Sequence, residues 1–389
     1  MTTGVSDRFL WHPFARIAPT AGHQPTCDAL VAGFARAAQG LSFRIGGGDA
    51  PPLSGPQPMF ETLTSGTSGA PRRILRAQVS WTASFAVNAG LFGIGPGANV
   101  AVLGDLIHSL ALYGALEALH LGAHLHLLAT LRPDRQRRAF ATAGVDVLYT
   151  TPAQARQLTA ASGPILPALR CILIGGSKLD ANLRLHLQQM APNATLHEFY
   201  GAAETSFLTL ARADDPPNSV GKPYPGVSLD IRDDLGRSLP NAAAGEVWAQ
   251  SPYLFDSYAS DSGTAIWRDG WLSVGEIGQM TDGALYLMGR KSRIVQIADQ
   301  SVYPEEIETF ITALSGVSRV AVIAEPEVKR GTVLVAIAMG DASCAPAILA
   351  ATRAQFGPLK SPRRIIWREH WPTLASGKTD LAALARDLA

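Results

Sequence analysis

The chain has 389 residues, which at about 100–200 residues per domain allows two or three domains and a full hydrophobic core. Hydrophobic residues make up 47% of the chain and charged residues 17%, and the 33 basic residues nearly balance the 32 acidic ones. This composition excludes a disordered or fibrous chain. The formal net charge of +1 excludes a global field that would draw the protein onto nucleic acid or an anionic membrane.

Residues 1–60 show little clear periodicity, and the Gly-, Pro- and Ser-rich run 46–58 is typical of a loop or linker. From residue 79 onward, helical periodicity alternates with short apolar runs. The predicted helices are 79–91, 109–120, 152–160 and 179–190, and the predicted strands are 100–103, 124–128, 145–149, 171–174 and 195–200. This alternation predicts an α/β fold, a large N-terminal region of parallel α/β layers.

The pattern changes from Gly221 onward. Short strands at 227–231, 245–250 and 285–288, separated by turn residues, predict a small antiparallel β layer. After residue 293 the predicted elements are helices at 304–314 and 345–356 and strands at 317–324, 332–338 and 364–367. We therefore expect a separate, small α+β domain at the C-terminal end.

The compartment is predicted from cysteines and apolar runs. Three scattered cysteines do not form a disulfide framework, which favours a reducing cytoplasm. The most apolar stretch, 100–131, is interrupted by two acidic residues and four histidines, so it is not expected to span a membrane. The first 30 residues carry charges and lack the apolar core of a signal peptide. We expect a soluble, cytoplasmic protein with no membrane span and no nucleic-acid partner.

Two motifs in the N-terminal region are suited to a nucleotide. The run Leu63–Arg73 (LTSGTSGAPRR) combines glycines with hydroxyl side chains and free N–H groups that can coordinate phosphate oxygens, although it is not a Walker loop. The run Phe199–Thr205 (FYGAAET) follows Gly175 and Gly176, which close a predicted buried strand. Ligands bind beyond the carboxyl ends of such strands, and Glu204 supplies a hard oxygen ligand of the kind that Mg²⁺ prefers.

Further motifs follow at 269–276 (DGWLSVGE), 287–294 (LMGRKSRI), 302–308 (VYPEEIE) and 372–380 (PTLASGKTD). In this order the set resembles the AMP-forming adenylate superfamily, which includes acyl-CoA synthetases, the adenylation domains of nonribosomal peptide synthetases, and luciferases. The resemblance extends over about Glu61 to Leu384. It implies a large adenylation domain over residues 1–291 and a small, mobile C-terminal domain over 292–389 that carries the catalytic lysine.

The resemblance implies a two-step ligase. A carboxylate attacks the α-phosphate of MgATP to give an acyl-adenylate and pyrophosphate, and the thiol of coenzyme A or of a carrier-protein phosphopantetheine then displaces AMP. A compact, partly aromatic pocket would suit an aryl or a short to medium acyl acid. Two alternatives stay open: an adenylating enzyme that passes the acyl group to an amine, and a catalytically silent nucleotide- or acyl-binding protein.

The resemblance also assigns roles by position. The phosphates are assigned to Thr64, Ser65, Gly66, Thr67, Ser68, Gly69 and Arg72, the adenine to Gly175, Gly176, Tyr200 and Gly201, and the ribose to Glu276 and Arg290. The residues expected at the acid are His108, Tyr113, Phe199, Ala202 and Ala203. Glu204 is expected to hold Mg²⁺, Lys378 to be the catalytic cation and Ser292 to be the hinge between the domains.

Several positions depart from the family pattern. Arg72 stands for the usual Lys, Ala203 for Thr and Glu276 for Asp, and Asp299 with Gln300 stands for a Gly pair beside the thiol tunnel. Only about 60 residues precede the phosphate loop, so the acid site is expected to be more open or to be completed in a homodimer. His120, His124 and His126 are expected to be structural rather than zinc ligands.

Overall fold

A computed structural model of the chain describes residues 5–18, 24–46, 51–64, 72–212, 214–216, 218–259, 265–327, 331–374, 378–386 and 388. Contacts divide these residues into two compact units. Unit 1 has its described residues within Met1–Gly66, Ala70–Ser228 and Ala249–Leu272, and unit 2 within Leu229–Trp248 and Ser273–Ala389. The domain boundary predicted between residues 291 and 292 concerns motion during catalysis and stays a prediction.

Helices and strands alternate along most of the chain. The helices are α1 (Gln24–Ala38), α2 (Val79–Phe92), α3 (Ser109–Leu121), α4 (Pro133–Ala143), α5 (Pro152–Ala160), α6 (Ala181–Met190), α7 (Pro304–Thr312), α8 (Ala345–Lys360) and α9 (Leu381–Arg386). The strands up to residue 223 are β1 (Arg16–Ile17), β2 (Phe43–Arg44), β3 (Met59–Leu63), β4 (Arg73–Ala77), β5 (Asn99–Val102), β6 (His124–Leu127), β7 (Val147–Thr150), β8 (Cys171–Gly175), β9 (Thr195–Ala202), β10 (Ser206–Ala211) and β11 (Lys222–Pro223). The later strands are β12 (Ser228–Arg232), β13 (Gly245–Gln250), β14 (Ser257–Tyr258), β15 (Trp267–Arg268), β16 (Trp271–Thr281), β17 (Ala284–Arg290), β18 (Val295–Ile297), β19 (Gln300–Val302), β20 (Val317–Glu327), β21 (Gly331–Gly340) and β22 (Ile365–Trp367).

The main sheet of unit 1 has the strand order β1-β6-β5-β7-β8-β9-β10-β11. Its strands are parallel from β1 to β9, and β10 and β11 then add antiparallel pairs. Strands β7 and β8 are buried along their whole length, as expected for a parallel sheet that is covered on both faces. The predicted parallel α/β fold is confirmed.

Helices α4, α5 and α6 cover one face of this sheet through Phe140, Leu158 and Leu187, which join one buried cluster with residues of β7 and β8. Helix α5 begins at Pro152 because Thr151 and Gln154 form a capping box that satisfies its first N–H groups. Within the described ranges, no helix combines the length and the apolar character that crossing a bilayer requires.

Helix α1 lies in the region where little periodicity was recognised. Its buried positions are Leu30, Gly33, Phe34 and Ala37, a spacing of three and four residues that is typical of an amphipathic helix. Two of these four residues are small, so the apolar stripe is weak in the sequence. Residues 1–60 therefore contain a helix, Gln24–Ala38, that the sequence analysis did not predict.

The predicted antiparallel layer is present after residue 221. In unit 2, β16 pairs antiparallel with β17, with Glu276 opposite Arg290, and β12 and β13 belong to the same sheet. In unit 1, β15 pairs with the first residues of β16. A further sheet of unit 1, in the order β14-β4-β3-β2, contains the hairpin on either side of the predicted phosphate loop.

The C-terminal elements match their prediction closely. Strands β20 and β21 are antiparallel, and β22 lies parallel to β21 with Ile366 opposite Ile337. Helices α7 and α8 pack on this sheet through Ile307, Ile311 and Ile348. This part of unit 2 is an α+β structure, as predicted.

A fully buried polar cluster lies in the core of unit 1. The carboxyl group of Glu117 is 0% exposed and accepts hydrogen bonds from the Tyr149 hydroxyl and, at 2.8 Å, from Asn88 Nδ2. Asn88 Nδ2 also donates to the Tyr113 hydroxyl at 3.0 Å, and Asn88 Oδ1 accepts from the Tyr224 hydroxyl at 2.6 Å. Burial raises the pKa of Glu117 to about 8, although hydrogen bonds from Tyr149, Asn88 and Tyr113 oppose the rise. The protonated acid is therefore the main form at neutral pH.

We expect Glu117→Gln to remove a pH dependence of stability. The folded-state pKa lies above the ordinary value, so the folded protein binds a proton that the unfolded chain releases. The free energy of unfolding of the wild type should therefore fall, through this group, by up to about 1.4 kcal/mol per pH unit between about pH 5 and about pH 8. Glutamine presents an N–H where the protonated acid presents an O–H. Its amide does not titrate, so the free energy of unfolding of the variant lacks this slope.

Urea denaturation across this pH range measures the effect. The unfolding free energy of the variant relative to wild type should rise with pH, whereas Glu369→Gln, at an exposed position, should show no such trend. A difference that is constant with pH would contradict a buried protonated acid at position 117.

Candidate active site

The predicted phosphate loop connects β3 to β4. Thr64 and Arg72 are its described ends. Ser65, Gly66, Thr67, Ser68 and Gly69 lie outside the described residues. The Thr64 hydroxyl accepts a hydrogen bond from Arg72 N at 2.9 Å, and Thr64 N donates to the Arg72 carbonyl at 2.8 Å. These two bonds extend the hairpin and close the base of the loop.

The two arginines after the loop have different surroundings. Arg73 Nη1 lies 3.0 Å from Glu61 Oε2, and Arg44 Nη1 lies 2.9 Å from the same oxygen. Glu61 is 2% exposed, so this is a buried structural ion pair. The guanidinium of Arg72 instead lies over the ring of Tyr258, 4.6 Å from its centroid. This supports the assignment of Arg72, rather than Arg73, to the phosphates.

Glu204 lies in the turn between β9 and β10 and is held at its backbone and its side chain. Its carbonyl accepts a hydrogen bond from Phe255 N at 2.8 Å, and its Oε1 accepts one from the Tyr258 hydroxyl at 3.0 Å. Burial and the charge of Glu204 raise the pKa of Tyr258, so the phenol stays protonated and donates. Tyr258 was not among the predicted site residues, and it joins Glu204 to Arg72.

Near the end of β9, just before this turn, there is no space for a side chain at Gly201. A Cβ on Gly201 would lie 1.8 Å from the Ser206 carbonyl oxygen, so only glycine fits. Ser206 has a left-handed φ of 58°, which is uncommon for a residue with a side chain. Tyr200 and Ala203 are partly buried, and Ala202 N donates to the hydroxyl of Thr205 at 2.9 Å.

The predicted adenine region lies at the carboxyl end of β8. Gly175 is opposite Phe199 of β9, and a Cβ on Gly175 would lie 2.4 Å from Phe199 Cζ. Gly176 has a φ of 97°, which favours glycine. The Phe199 ring also packs on Phe207 with 4.4 Å between ring centroids. Phe199 therefore closes one side of this strand end.

The residues predicted to border the acid lie at different depths. His108 precedes α3 and forms a parallel bridge to Leu63, the residue before Thr64. Its Nδ1 is buried and has no hydrogen-bond partner among the described residues. Tyr113 is 4% exposed, and its hydroxyl belongs to the buried cluster around Glu117. The structure thus places His108 beside the loop and Tyr113 in the core, and a direct contact of Tyr113 with the acid stays a prediction.

Unit 2 brings the predicted ribose-binding residues together. Glu276 and Arg290 are opposite each other on β16 and β17, and Arg290 Nε lies 3.8 Å from Glu276 Oε1. Burial raises the pKa of Glu276 to about 7; Arg290 and Lys378 lower it, and Glu305 raises it. The charge of Lys378 therefore acts on Glu276 within this unit.

Lys378 takes part in a short hairpin-like contact near the C-terminal end. Its carbonyl accepts a hydrogen bond from Leu374 N at 2.8 Å, and the next residue, Thr379, bridges to Thr373. The Thr379 hydroxyl accepts a bond from Trp371 Nε1 at 3.0 Å. These contacts fix the backbone on which the predicted catalytic lysine is mounted.

Ser292 lies in a single 3₁₀ turn, Lys291–Arg293, between two ion-paired residues. Lys291 Nζ donates to Glu246 Oε2 at 3.1 Å. Arg293 Nη2 donates to Glu308 Oε1 at 2.7 Å and to the Val322 carbonyl at 3.0 Å. The chain is thus anchored immediately before and immediately after the predicted hinge.

The histidines of unit 1 make contacts of a structural kind. His120 Nδ1 accepts a hydrogen bond from Leu10 N at 3.0 Å, and His126 Nε2 lies 3.1 Å from Asn99 Oδ1. Over the ranges that the structure describes, no group of three or more His, Cys, Asp or Glu side chains is arranged to hold a metal ion.

Comparison with protein families gives two matches. Residues 19–259 match the model of the AMP-binding enzyme family, and residues 306–378 match that of the AMP-binding enzyme C-terminal domain. Together the two matches include Thr64, Arg72, Glu204 and Lys378.

The individual relatives compared are less than 30% identical to this chain. The chain is 29% identical to the uncharacterized acyl-CoA ligase YhfT of Bacillus subtilis (strain 168) over 84% of this chain and 68% of that protein. It is 26% identical to the indoleacetate–CoA ligase of Aromatoleum aromaticum over 84% of this chain and 67% of that protein. The crystal structure of ATP-bound MatB from Rhodopseudomonas palustris has the same fold, with a TM-score of 0.75 at 23% identity over 91% of this chain and 72% of that one. The chain spans 59–68% of the length of the curated relatives it matches.

Proposed function

Because the chain belongs to the AMP-binding enzyme family, we propose that it is an ATP-dependent, AMP-forming ligase that joins a carboxylic acid to a thiol. The observation that carries this proposal is the arrangement at the base of the 64–72 loop, where Tyr258 donates to Glu204 and Arg72 lies over the Tyr258 ring. A carboxylate, a guanidinium and a Gly-, Ser- and Thr-rich loop are groups that can together bind a triphosphate with a divalent cation.

Mg²⁺ suits this arrangement. Glu204 is a hard oxygen donor whose side-chain partner is a neutral phenol, and Mg²⁺ is commonly held by one or two carboxylates together with substrate phosphates. Bound there, the ion would neutralise charge on the phosphate oxygens. The loop residues Thr64–Gly69 and Arg72 are proposed to bind the phosphates, Gly175, Gly176, Tyr200 and Gly201 the adenine, and Glu276 with Arg290 the ribose hydroxyls.

The first step needs little covalent chemistry from the protein. A carboxylate oxygen of the acid attacks the α-phosphorus, the bond to the bridging oxygen breaks, and pyrophosphate leaves. The ammonium of Lys378 is proposed to lie between the attacking carboxylate and the α-phosphate, where it offsets the charge that builds up. In the second step a thiol sulfur attacks the acyl carbon, the bond from that carbon to the AMP oxygen breaks, AMP leaves, and the thiol proton is released.

The acid and the acceptor are proposed by class. His108, Phe199, Ala202 and Ala203 are proposed to border the acid pocket, and such a lining would suit an aryl or a short to medium acyl acid. The similarity to indoleacetate–CoA ligase supports an aryl acid. The similarity to acyl-CoA ligases supports coenzyme A as the thiol. A carrier-protein phosphopantetheine is the other thiol to test, and a second copy of the chain is a candidate for completing the acid pocket.

We expect Lys378→Ala to lower the rate of adenylation by a factor on the order of 10²–10³, because the variant lacks the cation at the transferring phosphoryl group. Pyrophosphate release and hydroxamate formation are measured with MgATP, hydroxylamine and a panel of aryl and fatty acids. Lys222→Ala supplies the control, since Lys222 is exposed and lies 3.8 Å from Asp215, outside the proposed site.

The same panel with coenzyme A, a phosphopantetheinylated carrier protein or a primary amine identifies the acceptor. A faster reaction with the amine would contradict the thiol ligase. ATP binding without pyrophosphate release for any acid would contradict ligase activity on this panel.

We expect ATP affinity to depend on Glu276 around neutral pH. Its carboxylate accepts hydrogen bonds from ribose hydroxyls and its protonated form does not, so lowering the pH below the pKa of about 7 weakens binding. The KM for ATP should rise about tenfold between about pH 8 and about pH 6, beyond the change seen with Glu276→Gln, which has no charge to titrate. Glu276→Asp, with the shorter residue, should shift the midpoint to lower pH. Equal pH profiles for wild type and Glu276→Gln would exclude this role.

We expect Ser292→Pro to separate the two half-reactions, because proline restricts the backbone at the one residue between two anchored neighbours. Adenylation should stay within about threefold of wild type, and thioester formation should fall at least about tenfold. Ser292→Ala, which keeps the backbone free, is the control. Equal loss of both half-reactions would show general damage rather than a hinge between residues 1–291 and 292–389.

A further inference from the structure

Arg76 of β4 is a buried cation behind the Glu204 turn. It is 0% exposed, and its guanidinium lies 5.5 Å from the centroid of the Trp81 ring. Its Nη1 donates to the Ala203 carbonyl at 2.6 Å, and its Nη2 donates to the Ser206 hydroxyl at 2.8 Å and to the Tyr253 carbonyl. One side chain thus contacts both ends of the turn that carries Glu204.

Arg76 keeps its charge although no carboxylate among the described residues forms a direct ion pair with it. Within the described part of the chain, the hydrogen-bond partners of its guanidinium are neutral carbonyl and hydroxyl oxygens. Burial lowers its pKa to about 9, while the charges of Asp256 and Glu204 oppose the fall. Arg76 is therefore a cation at neutral pH. Burying such a charge is costly unless several hydrogen-bond acceptors surround it.

The contacts of Arg76 join two segments that are distant in the sequence. Ala203 and Ser206 flank Glu204, whereas Tyr253 begins the segment that leads to Tyr258. A second bond strengthens the connection, because Asp256 Oδ2 accepts from Ala77 N, next to Arg76, at 2.7 Å. The position of the Glu204 carboxylate and the position of the Tyr258 phenol that donates to it therefore both depend on the Arg76 guanidinium.

The backbone conformation of Ser206 makes this turn costly in free energy. Its left-handed φ of 58° is a conformation that costs a residue with a side chain on the order of 1 kcal/mol. The Ser206 hydroxyl accepts hydrogen bonds from Arg76 Nη2 at 2.8 Å and from Trp81 Nε1 at 3.1 Å, and it donates to the Tyr253 carbonyl at 3.2 Å. These bonds offset the cost of the conformation.

We propose that Arg76 is a positioning residue for Mg²⁺ binding, because its guanidinium fixes the Glu204 turn relative to Tyr258. This inference rests on the proposed function, in which Glu204 holds the ion. Arg76 does not touch the substrate. Its loss should loosen the geometry of Glu204 and weaken the response to Mg²⁺ more than it weakens the fold.

The test compares Arg76→Met with Arg137→Met. Arg137 is a matched control, since it is 8% exposed and its Nη2 donates to a backbone carbonyl, that of Pro164, at 2.8 Å, yet it belongs to none of the proposed site elements. Two quantities are measured: the Mg²⁺ concentration for half-maximal pyrophosphate release at saturating ATP, and the rise in melting temperature caused by MgATP relative to ATP with EDTA.

We expect both variants to melt at lower temperature than wild type. Only Arg76→Met should raise the half-maximal Mg²⁺ concentration, by about fivefold or more, and reduce the extra stabilisation by MgATP. Arg76→Lys, which keeps the charge but not the fork of donors, should fall between wild type and Arg76→Met. In a Glu204→Gln background, Arg76→Met should add little to the Mg²⁺ effect.

An unchanged Mg²⁺ response in Arg76→Met would overturn the inference and leave Arg76 a purely structural residue. If this variant does not fold, Ser206→Ala removes one acceptor of the guanidinium and should raise the half-maximal Mg²⁺ concentration about twofold; no change would overturn the inference. Failure of the proposed function is recognised separately, because wild type would then release no pyrophosphate or Glu204→Gln would leave its Mg²⁺ response unchanged.

Discussion

Buried charge is the constraint on which the arrangement of unit 1 depends. A guanidinium or carboxylate removed from water is costly unless protein groups replace its hydration. Arg76 and Glu61 are each at most 2% exposed, and each is bonded to groups from at least two separate segments. The bonds that satisfy these charges therefore also hold β3, β4 and the Glu204 turn in place.

Secondary structure was predicted well where a local pattern determines it. Helix α5 and strand β13 have the predicted bounds, and the C-terminal elements differ from prediction by a few residues at their ends. Helix α1 was missed because Gly33 and Ala37 occupy half of its buried positions and add little to an apolar stripe. Helix α4 was also missed, and two of its three buried residues, Gln136 and Arg137, are polar. Periodicity thus identifies elements that bury large apolar side chains and overlooks those whose buried positions are small or polar.

The same distinction applies to the candidate site. Thr64, Arg72 and Glu204 could be predicted because each belongs to a continuous motif. Tyr258 and Arg76 could not, because their contacts join residues 54 and 127 positions apart in the sequence. Such contacts are set by the pairing of β4 with β14 and by the turn after β9, which a single sequence does not show.

The hairpin of β18 and β19, which follows the predicted hinge, also has a feature that the motifs did not indicate. The comparison of motifs identified Asp299 and Gln300 with a Gly pair, but the left-handed backbone, with a φ of 55°, is at Ala298. Strand β18 pairs with β19 so that Ile297 is opposite Gln300, which leaves Ala298 and Asp299 as a two-residue turn. Turns of this length require positive φ, so the position at which this backbone favours glycine is Ala298, the first residue of the turn.

Glu276 shows how one added methylene and burial combine in a binding residue. Arg290 Nε lies 3.8 Å from its carboxylate, beyond a good hydrogen bond, so two nearby cations do not fully offset burial and the pKa stays at about 7. Only the ionised form accepts hydrogen bonds from ribose hydroxyls. If ATP binds as proposed, it selects that form, and at neutral pH the protein releases protons when the nucleotide binds. The substitution of glutamate for the usual aspartate would then couple nucleotide affinity to pH in this chain.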